Sequence, residues 1–161
     1  MKSELQKKAA AILARRAYSR GEIRQKLLKL TDDPVVETVL DRLEHLKLLN
    51  DLDYAYNFAL SRVGREGWGP EKIRRALHNR RVSASDISTA LDQIRSVVGD
   101  DYALGEYLKR YFAKKGMPEC PNSVRKLVTH LHRRGYNRNS MIKVLKQSLP
   151  EEMMRYFETG D

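Results

Sequence analysis

Apolar positions recur along the chain at three- and four-residue spacing, and start and stop signals bracket each recurrence. Ala9 to Ala17 is rich in helix formers and predicts a helix ending near Tyr18. Ser19-Arg20-Gly21-Glu22 then reads as a capping box, the serine meeting an orphan N–H and the glutamate reaching back. Ile23, Leu27 and Leu28 form the apolar face of the helix it opens. Thr31-Asp32-Asp33-Pro34 is a stop followed by a start, with proline tolerated in a first turn. Val36, Val39, Leu40, Leu43 and Leu46 follow at helical spacing. Asn50-Asp51 opens a fourth helix with the stripe Ala55, Phe58, Ala59 and Val63, weakened at its end by Gly64 and Gly67. Trp68-Gly69-Pro70 starts a fifth, carrying Ile73 and Leu77. Ser83 and Ser85 stand where caps belong before a sixth with Ile87, Ala90, Leu91 and Ile94, closed by Gly99-Asp100. Leu104, Tyr107, Leu108, Tyr111 and Phe112 mark a seventh that stops at Gly116. Beyond the break at Pro118 to Pro121, Val124, Leu127, Val128 and Leu131 make an eighth before Gly135. Met141, Val144, Leu145 and Leu149 make a ninth, and Pro150 to Asp161 is open between a short helix and disorder. No sustained period-two alternation bounded by hairpin turns occurs, so the expected fold class is all-α.

The helices repeat in threes. Ile23-Arg24-Gln25-Lys26-Leu27 aligns with Ile73-Arg74-Arg75-Ala76-Leu77 and again with Val124-Arg125-Lys126-Leu127-Val128. Leu40, Leu91 and Leu145 mark the third helices, and Tyr54-Ala55 pairs with Tyr102-Ala103. A period near fifty residues signals tandem units whose apolar faces are buried partly by neighbours. The expected division is three three-helix units at 1–49, 50–99 and 100–149, then a tail at 150–161. A composition of 41% apolar and 32% charged residues, with three Phe and one Trp, suits such shallow, modular cores.

Charge follows the same rhythm. The chain carries +10 overall, and its sign alternates along the sequence. Residues 1–30 are net +7, 31–60 net −5, 61–81 net +5, 82–108 net −4, 109–146 net +10 and 147–161 net −3. Basic groups thus gather from the first helix into the second of each unit, and acidic groups around the third. Stacked side by side, equivalent helices would present a basic stripe to a polyanionic partner; separately, they would be solvated faces.

Reactive constellations are absent from this pattern. His130 and His132 are two residues apart and diverge on a helix, whereas zinc prefers three- or four-residue spacing there; His45 and His78 stand alone. Cys120 has no partner cysteine and reads as a structural or incidental thiol. Asp51-Leu52-Asp53 suggests a metal pair only weakly, because it lies where a helix cap is needed. No P-loop, dinucleotide fingerprint or esterase elbow occurs. A non-enzymatic protein with no cofactor and no metal is expected. The start Met1-Lys2-Ser3-Glu4-Leu5 lacks an apolar run with a cleavage site, no stretch approaches ~18 apolar residues, and the lone cysteine suits a reducing compartment. A cytoplasmic location without membrane contact is expected.

Several stretches resemble the RecX family. Ile12-Leu13-Ala14-Arg15-Arg16-Ala17-Tyr18-Ser19-Arg20-Gly21-Glu22-Ile23-Arg24-Gln25-Lys26-Leu27 is similar to its first signature. Leu48-Leu49-Asn50-Asp51-Leu52-Asp53-Tyr54-Ala55, continuing to Phe58 and Arg62, resembles its second. Gly67-Trp68-Gly69-Pro70-Glu71-Lys72-Ile73-Arg74-Arg75-Ala76-Leu77 resembles its third and most specific, and Arg133-Arg134-Gly135-Tyr136 the end of its last unit. The likeness runs from about residue 8 to residue 149 and thins beyond Gly99. Two positions depart from the pattern: Lys47 and Arg81 stand where the family usually has glycine in a left-handed C-cap. There, either the helices end differently or a Cβ cost of roughly 1 kcal/mol is tolerated.

The resemblance implies an elongated, curved body of three helix-turn-helix-like units. It also implies a monomer that binds the RecA filament and inhibits its extension, ATPase, strand exchange and co-protease activity, with weaker, non-specific binding to single- and double-stranded DNA. Arginine's planar fork matches phosphate and carboxylate. On that chemistry the candidate contacts are Arg15, Arg16, Arg20, Arg24, Arg62, Arg65, Lys72, Arg74, Arg75, Arg125, Lys126, Arg133 and Arg134. Ile23, Ile73 and Val124 are expected in the core, Gly69-Pro70 as a helix start, and Trp68 as either a buried wedge or a partner-facing ring. One alternative is a direct DNA-binding regulator of tandem helix-turn-helix type, with Arg125, His130 and Arg133 on the eighth helix reading bases; a second is a structural helical adaptor for another protein, docked through the acidic third helices.

Overall fold

A computed structural model describes residues 2–158. Its helices are α1 Lys2–Arg15, α2 Arg20–Leu27, α3 Asp33–His45, α4 Asp51–Ser61, α5 Pro70–Asn79, α6 Ala84–Val97, α7 Asp100–Lys115, α8 Pro121–Arg133, α9 Arg138–Ser148 and α10 Glu151–Glu158. A π-helical turn, Arg62–Glu66, extends α4, and no strand is present among the described residues. Nor, among them, is any helix long and apolar enough to cross a membrane.

Local signals account for most boundaries. At α2 both halves of the capping box form: Ser19 Oγ accepts from Glu22 N–H at 3.1 Å, and Glu22 Oε2 accepts from Ser19 N–H at 2.9 Å. Ser83 Oγ accepts from Asp86 N–H at the start of α6, and Asn137 Oδ1 from Ser140 N–H at the start of α9. Asn50 does the same for α4 through Asp53 N–H. The neighbouring Asp51 serves a different helix, because its Oδ1 accepts from Arg20 N–H at 2.7 Å and caps α2. Pro150 to Asp161, left open by the sequence, contains α10; its Met154 and Phe157, three residues apart, are both buried.

Packing groups the residues into two compact units. The first comprises Met1–Phe58 with Ala76–Ala90, the second Ala59–Arg75 with Leu91–Asp161. The first unit's core is built by Leu5 and Ala9 of α1, Ile23 and Leu27 of α2, and Val36, Val39, Leu40 and Leu43 of α3, closed by Leu49. The second unit's core takes Leu104 and Leu108 from α7, Val124, Leu127 and Leu131 from α8, Met141, Val144 and Leu145 from α9, and Met154 and Phe157 from α10. Ile23, Ile73 and Val124, the aligned residues of the repeat, are all fully buried.

The two departures from glycine are resolved by the backbone. Lys47 and Arg81 both adopt left-handed conformations, φ +57° and +61°, like Gly135 at φ +92°. Each ends its helix in the same motif. The next residue's N–H reaches back five positions: Leu48 to Leu43 C=O at 2.9 Å, Val82 to Leu77 C=O at 3.2 Å and Tyr136 to Leu131 C=O at 3.2 Å. The conformation survives without glycine because these bonds satisfy carbonyls that would otherwise be orphaned.

Helix starts dock on two of these ends. In the first unit Ser19 Oγ donates to Arg80 C=O at 2.5 Å, and a Cβ on Gly21 would overlap that of Arg81. In the second, Gly69 N–H donates to Arg134 C=O at 2.6 Å and Glu71 N–H to Gly135 C=O at 3.1 Å. A Cβ on Gly135 would overlap the backbone nitrogen of Lys72.

These two kinds of left-handed residue should respond oppositely to mutation. Lys47→Gly relieves the Cβ strain at an exposed position and should stabilise the protein by about 1 kcal/mol in urea unfolding. Gly135→Ala adds both strain and overlap and should destabilise it by roughly 2–4 kcal/mol. A neutral Gly135→Ala would show that the second docking contact has room for a Cβ at Gly135.

Candidate functional site

The predicted basic residues divide between the two units, and the units treat them differently. In the first, α2 presents its arginines to the acidic face of α3. Arg20 meets Glu37 at 2.7 Å, Asp41 at 2.9 Å and Glu44 at 2.8 Å. Arg24 meets Glu37 at 2.6 Å and Asp33 at 2.5 Å. The Arg24 and Arg20 guanidiniums hold the Glu37 carboxyl below its usual range. Arg16 lies 3.6 Å from the centre of the Tyr18 ring and 3.7 Å from Glu22. Arg15 is exposed in the last turn of α1. The arginines of α2 thus work mainly as staples between α2 and α3, their charge largely answered in place.

The second unit leaves most of its cations unanswered. Among the described residues, Arg65, Lys72, Arg75, Arg125, Lys126, Arg133 and Arg134 form no ion pair with a carboxylate, whereas Arg62 pairs with Glu66 and Arg74 with Glu71. The docked helix start explains the clustering. With Gly69 and Glu71 bonded to the end of α8, Lys72 is brought beside Arg134, and that charge, with Arg75 and above all burial, lowers the Lys72 pKa. Arg134 also donates to Glu66 C=O at 3.0 Å, and the Tyr136 hydroxyl to Gly67 C=O at 3.0 Å.

Aromatic rings interleave with these charges. Trp68, weighed as wedge or partner-facing ring, is half-buried, with Lys72 Nζ 4.2 Å and Arg62 Cζ 5.1 Å from its ring centre. The Tyr107 hydroxyl shares a 2.6 Å hydrogen bond with His130 Nε2, and the Tyr111 ring lies 5.0 Å from the imidazole. Burial lowers the His130 pKa, and Arg134, Lys72, Arg133 and Lys115 lower it further. His130 is therefore held under two tyrosines, while Arg125 and Arg133, the other proposed base readers of α8, are exposed.

The site also contains residues that the sequence reading did not single out. Arg110 of α7 donates to Gly64 C=O at 3.2 Å, and with Arg65, Glu66, Tyr107 and Arg134 it lines a cleft of about 430 Å³. Lys115, Lys126 and Tyr111 line a second recess of about 230 Å³. The signal was present in the +10 segment at 109–146, where Lys109, Arg110, Lys114 and Lys115 crowd one helix. What the sequence lacked was the partner segment, more than forty residues away.

The chain is similar to proteins of the RecX family. Models of the first and second three-helix domains of RecX match residues 7–43 and 50–91. The regulatory protein RecX of Prosthecochloris aestuarii is 34% identical over 143 residues, 88% of this chain and 91% of that protein. That of Corynebacterium efficiens is 28% identical over 157 residues, covering 94% and 75% of the two chains. Among solved structures, RecX from Lactobacillus salivarius superposes with a TM-score of 0.75 over 91% of this chain and 95% of that one. At 19% identity that match speaks for the fold.

The lowered His130 pKa has a consequence for stability. The unfolded chain takes up the imidazole proton near the ordinary value of 6.5, while the folded chain resists it to lower pH. Stability should therefore fall as pH drops through that window, and be insensitive to this group above it. Urea unfolding at pH 7.5, 6.5 and 5.5 should show the decline, and His130→Gln should flatten it. An unchanged slope in that variant would mean that the fold does not oppose His130 protonation.

Proposed function

Because the chain belongs to the RecX family, we propose that it is a non-enzymatic regulatory protein that binds the RecA–DNA filament and restrains its extension, ATPase, strand exchange and co-protease activity. The observation that supports the site assignment is the different pairing of the α2 arginines and of the candidate cations of the second unit. Among the described residues, the second unit gathers Arg65, Lys72, Arg75, Arg133 and Arg134 without carboxylate partners, whereas Arg20 and Arg24 are engaged within the first. A nucleoprotein filament offers phosphates and acidic side chains along its length. Cations that are positioned but unanswered can meet them without first breaking an internal pair.

Within this reading Arg65, Lys72, Arg75, Arg133 and Arg134 make the principal contacts. Arg62 and Arg74 act from positions shared with Glu66 and Glu71. Arg15, Arg16, Arg125 and Lys126 add longer-range attraction from exposed positions, and Arg20 and Arg24 contribute by holding α2 on α3. Bare single- and double-stranded DNA would bind the same charges more weakly and without sequence preference. Nucleotide hydrolysis belongs to RecA, and the regulator acts in the cytoplasm as a monomer without a cofactor.

The test is the single-stranded-DNA-dependent ATPase of the cognate RecA, with this protein titrated well below the RecA concentration. Inhibition is expected at such ratios. Arg75→Ala combined with Arg133→Ala should weaken it by about tenfold or more, since contacts between charged groups are each worth ~1.5–3 kcal/mol. Arg20→Ala should lower thermal stability and leave inhibition per folded molecule unchanged. No inhibition at excess protein, together with salt-sensitive binding to bare DNA, would replace this reading with direct DNA regulation.

A further inference from the structure

Three arginines from three separate segments converge on one cleft of the second unit. Arg65 comes from the π-helical turn, Arg110 from α7 and Arg134 from the end of α8, and Tyr107 and Glu66 complete the lining of about 430 Å³. Two of the guanidiniums are held by carbonyls of the same turn: Arg110 by Gly64 C=O at 3.2 Å and Arg134 by Glu66 C=O at 3.0 Å. Arg134 also lies 5.4 Å from the Tyr107 ring centre. The Glu66 carboxylate, the acidic group in the lining, pairs with Arg62. No carboxylate of the described residues pairs with Arg65, Arg110 or Arg134.

The shape of this cluster selects among anions. A carboxylate presents two coplanar oxygens, which one guanidinium fork satisfies. A tetrahedral phosphate presents oxygens in several directions and suits donors arriving from different segments. The π-helical turn matters here because it supplies the carbonyls that orient two of the three forks. Such turns occur rarely and often at functional positions.

The geometry points to a phosphate-binding site formed by Arg65, Arg110 and Arg134, taking one phosphate group of a polynucleotide or a free nucleotide. The site lies wholly in the second unit and does not require RecA as a partner. It deepens the regulatory reading, with which it shares Arg65 and Arg134, and oligonucleotide binding measured without RecA can fail while inhibition of RecA persists.

Fluorescence anisotropy of the full chain with a labelled twelve-residue oligothymidylate, at several salt concentrations, tests it. Arg65→Ala and Arg110→Ala should each weaken binding by about tenfold. Arg125→Ala, at an exposed position on α8, should weaken it by about twofold or less. Losing the phosphate contact should also reduce the steepness of the salt dependence by about 0.7 in logarithmic slope. Competition with ATP and with a hexaglutamate peptide identifies the source. Displacement by ATP with the same arginine dependence supports the site and assigns it to a free nucleotide. Equal losses in the Arg65, Arg110 and Arg125 variants would overturn it in favour of diffuse attraction. Arginine-dependent binding of hexaglutamate, without binding of oligothymidylate or ATP, would overturn it in favour of a carboxylate. Arg65 is exposed, so Arg65→Ala keeps the test independent of folding, and a melting curve for each variant checks the rest.

Discussion

The start of one helix resting on the end of another is the contact on which this structure depends. A helix start exposes unpaired N–H groups and partial positive charge, and a helix end exposes unpaired carbonyls and partial negative charge. Bringing them together satisfies both, provided the backbones approach closely. The chain does this twice, at aligned positions of its repeat: Ser19 and Gly21 meet Arg80 and Arg81, and Gly69 and Glu71 meet Arg134 and Gly135. Close approach requires that a Cβ be absent where the backbones meet, and in both contacts the helix start supplies a glycine. In the first, Gly21 makes room for a left-handed arginine; in the second, Gly69 makes room for the backbone of Gly135, and Gly135 in turn for that of Lys72. The usual glycine can therefore be missing at Arg81 without loss of the contact.

The candidate site follows from the second of these contacts. Bonding Gly69 and Glu71 to the end of α8 carries the π-helical turn, Trp68 and Lys72 to Arg134 and the tyrosine-covered His130. Positive charges crowded in this way repel one another; burial first, and the neighbouring cations second, lower the pKa values of Lys72 and His130. The fold holds the crowding in place through main-chain hydrogen bonds and the apolar core of α7, α8, α9 and α10. A surface that accepts such repulsion when free is poised to gain from an anionic partner, because the partner relieves it. The α2 arginines of the first unit differ from these, since Arg20 and Arg24 are matched by four carboxylates of α3 and gain less from an external anion.

Local chemistry was legible in the sequence, and the long-range consequences were not. Nine helices, the capping box at Ser19, the buried repeat residues Ile23, Ile73 and Val124, and the family signatures depend on spacing and short-range bonding, which a linear pattern records. The conformation of Lys47 and Arg81 could be posed only as a choice, because a helix end is fixed by whether the returning N–H finds its carbonyl. Helix α10 stayed open because eight residues with two core contacts have too little pattern to separate a helix from a tail. Which arginines are neutralised, and that Arg110 joins Arg65 and Arg134, was decided only by the tertiary structure. Arg134 and Glu66 are 68 residues apart, as are Arg110 and Gly64 by 46, and pairs so distant are set by packing. The sequence determined that basic helices exist and where they begin and end; the fold determined which of their charges remain available.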